Sequence, residues 1–120
     1  MRLTRPALLL IAATLGTAVA LVPAGQASAA GGCRANNFCA FKDANYIGML
    51  LQSSAPRGTN NVGVARDQVS SGSNLTPNTW VGVNIRTGLP DQNIFRFGPN
   101  TDVPYVGDAA NDHIDHFDVR

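Results

Sequence analysis

The chain has 120 residues with nine Lys or Arg, eight Asp, no Glu and only two cysteines. That length holds one small domain, and a formal net charge of +1 leaves no basic excess to attract nucleic acid or an anionic membrane. The missing glutamate removes the commonest raised-pKa acid of hydrolytic enzymes, and no GxSxG or HExxH occurs, so catalysis is not expected.

Residues 1–29 read as a secretory signal. Arg2 and Arg5 form the cationic start, Ala7 to Val22 are almost all apolar, and Ala27-Ser28-Ala29 gives a small-x-small cleavage pattern. A membrane anchor is the competing reading, but Pro23, Gly25 and Gln26 follow the apolar run where a basic stop would stand. The expectation is therefore a secreted, extracellular domain over 30–120 with no membrane association. Without Arg2 and Arg5, seven basic residues face eight aspartates, and the basic ones are scattered from Arg34 to Arg120.

Cys33 and Cys39 are isolated and six positions apart, and in an oxidising compartment such a pair forms a disulfide. Closing so short a loop stabilises a fold by roughly 2 kcal/mol on the chain-entropy account. The spacing is not CxxC and no second ligand pair exists, which argues against redox or zinc chemistry. Ala30 to Asn37 reads as a polar arm held by that bond alone.

Cys39 to Leu51 (CAFKDANYIGMLL) organises the rest of the chain. Phe38 to Lys42 and Ile47 to Gln52 read as two strands joined by a tight fold-over. Phe41 and Tyr46 are spaced to pack across the corner, and Gly48 sits where the backbone needs φ > 0 or passes close to a ring.

Ser53 to Asn61 is nearly all turn formers; Val62, Val64 and Val69 mark a short strand or irregular return. Ser71 to Asn78 (SGSNLTPN) reads as a polar link between two halves, and Asn74-Leu75-Thr76 is formally a glycosylation sequon. Thr79 to Ile85 alternates like a half-buried strand. Thr87 to Gln92 turns, Asn93 to Phe97 is a strand, Gly98 to Asp102 a loop, Val103 to Val106 a short pairing segment, and His113 to Val119 a last strand. Trp80, Phe95 and Phe97 read as sheet or core residues, with a sugar-binding platform as the alternative. No window beyond the signal has a helical apolar period, so the fold class is all-β with about eight short strands.

A shift of 45 residues lays Met49-Leu50 on Ile94-Phe95 and Asp67-Gln68-Val69-Ser70 on Asp112-His113-Ile114-Asp115. This weak repeat predicts a sandwich of two four-stranded halves. Asp112, His113, Asp115, His116 and Asp118 invite a transition-metal reading. On one strand, however, His113 and His116 point apart, and two exposed imidazoles on an edge strand are the expectation.

Phe41-xxxx-Tyr46-x-Gly48, followed by Arg66-Asp67-Gln68-Val69-Ser70-Ser71, resembles the Greek-key signature of βγ-crystallin-like domains. Together with the signal and the short disulfide before it, the pattern is most similar to the secreted peptidase inhibitor family I36, which includes the Streptomyces metalloproteinase inhibitor. The resemblance implies a crystallin-type Greek-key sandwich without catalysis. It also implies inhibition of a secreted peptidase, of metallopeptidase type, by a rigid loop laid in the protease cleft. A monomer is expected separately, because edge strands carrying Asp and Arg oppose edge-to-edge association. The metalloproteinase inhibitor has a second disulfide near its reactive loop, which this chain lacks. The loop expected to act is the exposed turn Arg86, Thr87, Gly88, Leu89, Pro90 and Asp91.

The alternative function under the same resemblance is a calcium-binding or purely structural module, with calcium as the one cofactor to weigh. Crystallin-type sites use (Asn/Asp)(Asn/Asp)xx(Ser/Thr)Ser to offer oxygen ligands to a hard cation. The candidate ligands are Asp67, Ser70, Ser71, Asn111 and Asp112. Arg66 departs from the first copy of the pattern, and Asp115 and His116 depart from the second. The competing role for Ser70 and Ser71 is to close a turn by local hydrogen bonds.

Overall fold

The computed structural model describes residues 30–120, and the signal assigned to 1–29 lies outside the described residues. Eight strands follow one short 3-10 turn at Ala30–Gly32. They are β1 (Phe38–Asp43), β2 (Ile47–Ser53), β3 (Val62–Gly63), β4 (Ser71–Asn74), β5 (Trp80–Asn84), β6 (Gln92–Phe97), β7 (Thr101–Val103) and β8 (His116–Val119). They form two antiparallel four-stranded sheets, ordered β2-β1-β4-β7 and β3-β8-β5-β6. Each sheet thus holds three strands of one half and the third strand of the other. This is an all-β Greek-key sandwich of the crystallin type, in which the two halves exchange β3 and β7.

The repeat survives in the backbone. β1 and β5 carry the same register irregularity, at Ala40/Phe41 and at Gly82/Val83. Asp67 and Asp112 both take left-handed φ, 59° and 60°. The Asp67 N–H donates to Ile114 O (3.2 Å) and the Asp112 N–H to Val69 O (3.1 Å), a reciprocal pair under the 45-residue shift.

Phe38, Ala40, Trp80, Phe97, Ile114, Phe117 and Val119 fill the space between the sheets. Phe38 stacks on Trp80 with ring centroids 4.5 Å apart and meets Phe97 and Phe117 edge-on at 5.1 and 4.8 Å. Such pairs add to simple area burial, and they leave neither Trp80 nor Phe97 open to a sugar. β1 is buried on both faces. Its outer face, Cys39 and Phe41, is covered by Cys33, Tyr46 and Leu75. Phe41 and Tyr46 meet edge-on at 5.8 Å, and Gly48 has φ 77°, as their spacing predicts. The Cys33–Cys39 disulfide is formed. The arm is held by more than that bond: Gly31 lies so close to the Phe41 ring that a Cβ there would collide with it, and the Arg34 N–H donates to Gln52 Oε1 (2.8 Å).

Further expectations are corrected. Ser71–Asn74 is no link but the wholly buried strand β4, hydrogen-bonded between β1 and β7. Its polar groups find partners: Ser73 donates to the Asp102 carboxylate, and Asn74 Nδ2 donates to Asn78 O (2.8 Å), Phe97 O (3.0 Å) and Gly98 O (2.8 Å). Asn74 Oδ1 accepts from Thr76 Oγ1 (2.7 Å), which in turn accepts from Trp80 Nε1 (3.2 Å). With its amide buried and committed, the sequon at Asn74 has no room for a glycan. Second, β5 is buried on both faces, because Val81 lies in register between Arg96 and Asp118, and Val83 between Asn93 and His116. Polar side chains on the two neighbouring strands flank it on that face. Third, the last strand starts at His116 and runs between β3 and β5, so His116 is buried, while His113 lies outside the strand and is exposed. β7 likewise begins at Thr101, two residues before the expected segment.

Gly72 is required by close approach: a Cβ there would lie 2.6 Å from Phe97 Cε2 and 3.2 Å from Cys39 O. Gly72→Ala should cost about 2 kcal/mol, read as a fall in Tm of about 10 °C. Gly63→Ala, where a Cβ meets nothing within 4 Å, should leave Tm nearly unchanged in the same thermal scan.

Candidate functional site

The connections gather at one end of the sandwich because of the strand exchange. Each β3–β4 or β7–β8 connection crosses from one sheet to the other, and the Asp67–Ile114 and Asp112–Val69 bonds join the two where they cross. The hairpins are tied to the same end. The Ser70 N–H donates to Phe41 O (2.9 Å) and the Asp115 N–H to Val83 O (2.8 Å), again as a matched pair. The Asn45 N–H reaches Pro104 O (2.9 Å). Ser71 Oγ donates to Asp43 O (2.7 Å) and accepts from the Tyr46 N–H (3.1 Å), which clamps the β1–β2 turn.

Of the candidate calcium ligands, Asp67, Ser70, Asn111 and Asp112 come together, from both halves, around one cleft of about 370 Å³. Lys42, Asp43 and Gln68 complete its lining. Ser71 is occupied by the β1–β2 hairpin, and its hydroxyl bonds there reach residues 28 and 25 positions away, not the local partners expected. Asn111 Oδ1 is buried and has no hydrogen-bond partner among the described residues, while its Nδ2 donates to Asp112 Oδ2 at 3.4 Å. Carboxylate, amide and hydroxyl oxygens are the donor set a hard cation takes. Lys42 supplies a fixed positive charge to the same cleft, and among the described residues no three His, Cys, Asp or Glu side chains already stand in a metal-holding cluster.

The second half handles the same positions differently. Under the repeat Arg66 falls on Asn111, and Ser70 falls on Asp115. Arg66 Nε donates to Asp115 Oδ1 (3.0 Å), and the Ile85 N–H donates to Asp115 Oδ2 (2.7 Å). The Asp115 side chain is 1% exposed, its partner 65%. Burial works to raise the Asp115 pKa, but the Ile85 N–H and the Arg66 guanidinium outweigh it and hold the carboxyl below its ordinary value. Arg66, out of place as an oxygen ligand, is thus the counter-charge of a buried carboxylate.

The turn Arg86 to Asp91 projects between β5 and β6, with Leu89 59% exposed at its tip. It is braced internally. Arg86 Nε and Nη2 both donate to Pro90 O (3.2 and 2.9 Å), the Leu89 N–H donates to Arg86 O (3.1 Å), and Gly88 takes φ 74°. Thr87 and Asp91 are exposed. His113 and His116 do not converge; His116 Nε2 lies 3.7 Å from Asp118 Oδ1 on β8.

Sequence reasoning missed the Arg66–Asp115 pair and the Arg86–Pro90 brace. The first had a signal: at the two places where the repeat loses its Asn and Ser, it gains a cation and an anion together. The second had none, because a guanidinium on a carbonyl four residues away leaves no residue-type trace.

A depressed folded-state pKa stabilises above the unfolded carboxyl pKa, and this is lost as pH falls through the folded value. Asp115→Ala should therefore cost about 2 kcal/mol at pH 7 by stranding the Ile85 N–H. In denaturant melts, its deficit against the parent should shrink as pH drops below about 4.

Residues 26–83 match the model of Peptidase inhibitor family I36. No curated protein matches the chain, and no solved structure does. The matched stretch includes the disulfide, the β1–β2 hairpin and β4, and it ends at Val83 within β5, just before Arg86 to Asp91.

Proposed function

We propose that this chain, whose residues 26–83 match the model of peptidase inhibitor family I36, is a secreted inhibitor of extracellular metallopeptidases that acts through its Arg86–Asp91 loop. A peptidase inhibitor is not an enzyme, and its partner is a peptidase. The observation that carries the finer reading is the internal brace of the loop. An inhibitor must present an extended turn without having to order it on binding, since each ordered side chain costs about 1 kcal/mol. Here two Arg86 nitrogens on Pro90 O hold the two ends of the turn together, and Ile85 at its base is fixed by the Asp115 carboxylate. That provides by hydrogen bonds the restraint that a second disulfide would provide covalently. Export is supported by the leader pattern of residues 1–29 and by a disulfide suited to an oxidising compartment. Among the described residues no helix is long and apolar enough to cross a membrane. A monomer is proposed from edge strands that carry Arg96 and Asp102.

Titrating the purified protein into a panel of secreted metallo- and serine peptidases should give stoichiometric inhibition of a metallopeptidase. Leu89→Asp should weaken it by about a hundredfold, the scale of an interface hot spot, and Arg86→Ala by about tenfold with Tm nearly unchanged. Inhibition of no peptidase overturns the function; full potency in Leu89→Asp overturns the choice of loop.

A second reading is favoured by the unpartnered Asn111 Oδ1 beside Asp67 and Asp112: calcium in the first cleft. Millimolar calcium should then raise Tm by a few degrees, as a ligand of the native state alone must, and Asp112→Ala should abolish the rise. An unchanged midpoint in the parent protein rejects this reading.

A further inference from the structure

At the foot of the Arg86–Asp91 loop lies another cleft, of about 390 Å³, lined by Asn84, Gln92, Asn93, Ile94, Ala109 and His113. Its chemistry differs sharply from that of the 370 Å³ cleft. Among the described residues no carboxylate, ammonium or guanidinium lines it; three carboxamides and an imidazole do. Each carboxamide offers two N–H donors and a carbonyl acceptor. None of these four side chains is hydrogen-bonded to another described residue, whereas Asn74 has its donors and acceptor committed. A cleft without carboxylate, ammonium or guanidinium does not select phosphate or ionic side chains, and its lining offers no Trp, Tyr or Phe face on which a sugar ring could stack. Donors and acceptors placed side by side, next to the apolar Ile94, match the alternating N–H and C=O groups of an extended main chain. β6, which supplies Gln92, Asn93 and Ile94, is the outermost strand of its sheet, so an extended segment has access to it.

We infer that this carboxamide-lined cleft binds an uncharged, extended polypeptide segment, the class of ligand that the rim of a peptidase cleft presents beside an inserted loop. The assignment builds on the inhibitor reading, because the cleft adjoins the loop, but its test does not need inhibition. The isotope-labelled protein is titrated with acetyl-tetra-alanine-amide and, separately, with cellotetraose, and the side-chain NH2 resonances of Asn84, Gln92 and Asn93 are followed by NMR. The peptide should shift these signals at millimolar concentration, the scale of a few neutral hydrogen bonds, and the sugar should leave them in place. The double variant Asn84→Ala/Asn93→Ala should bind the peptide at least tenfold more weakly, followed on the remaining Gln92 and His113 signals. Shifts with cellotetraose alone, no shift with the peptide in the parent protein, or equal binding by a folded double variant overturns the assignment. Peptide shifts in a protein that inhibits no peptidase would sink the inhibitor reading and leave the cleft standing; inhibition with silent cleft signals would do the reverse.

Discussion

The exchange of the third strand is the constraint on which this fold depends. β3 leaves the half that contains β1, β2 and β4 to pair with β8, and β7 leaves the other half to pair with β4. Neither half can complete a sheet without its partner, so the sandwich is one cooperative unit although the chain is a repeat. The crossing also decides where function can sit. Two connections must pass each other at one end, and the reciprocal Asp67–Ile114 and Asp112–Val69 bonds fix how they do so. Both aspartates stand in the left-handed region there, where Asp is tolerated far better than a β-branched residue. Hairpin turns, clefts and the protruding loop all hang from that crossing.

The parts of this fold that could be read from sequence were those whose chemistry is local. The Phe41–Tyr46–Gly48 corner, the disulfide and the strands on either side come from ring size, backbone freedom and spacing along a short stretch. β4 could not be read this way. Ser71, Gly72, Ser73 and Asn74 look like a linker, since polar and small residues usually mark exposed turns. They are buried because Phe97 needs the space above Gly72, and because Asp102, Thr76 and the carbonyls of Asn78, Phe97 and Gly98 satisfy the polar groups. All but the Thr76 and Asn78 contacts come from more than twenty residues away. The same holds for β8, whose aspartates and histidines suggested an exposed edge until β3 arrived from the other half to cover it. Burial of polar residues is offset by partners that only the topology brings near.

The candidate site was legible in part. The two copies of the crystallin-type pattern brought Asp67, Ser70, Ser71, Asn111 and Asp112 under suspicion together, and all but Ser71 do share a cleft. What it did not reveal was how the two copies divide the work. In one copy, oxygen donors surround a space and leave Asn111 Oδ1 without a partner among the described residues. In the other, the same two backbone positions carry Arg66 and Asp115, which satisfy one another. The Arg66 guanidinium supplies the counter-charge that the buried Asp115 carboxylate needs.

That division bears on the loop. Asp115 accepts the Ile85 N–H, and Ile85 is the last residue before Arg86, so the buried carboxylate is the anchor from which the loop departs. Were Asp115 neutralised by a dissolved ion, the loop's footing would vary with the ion's concentration by ordinary mass action. Because the neutralising charge is Arg66, carried by the chain itself and set by the β3–β4 connection of the opposite half, the footing is fixed by folding alone. The Arg86–Pro90 brace then needs to restrain only the turn above it. Rigidity at the tip is thus assembled in two stages, a tertiary ion pair at the base and a local clamp above, with the disulfide at Cys33–Cys39 stabilising the far half and contributing nothing directly to the loop.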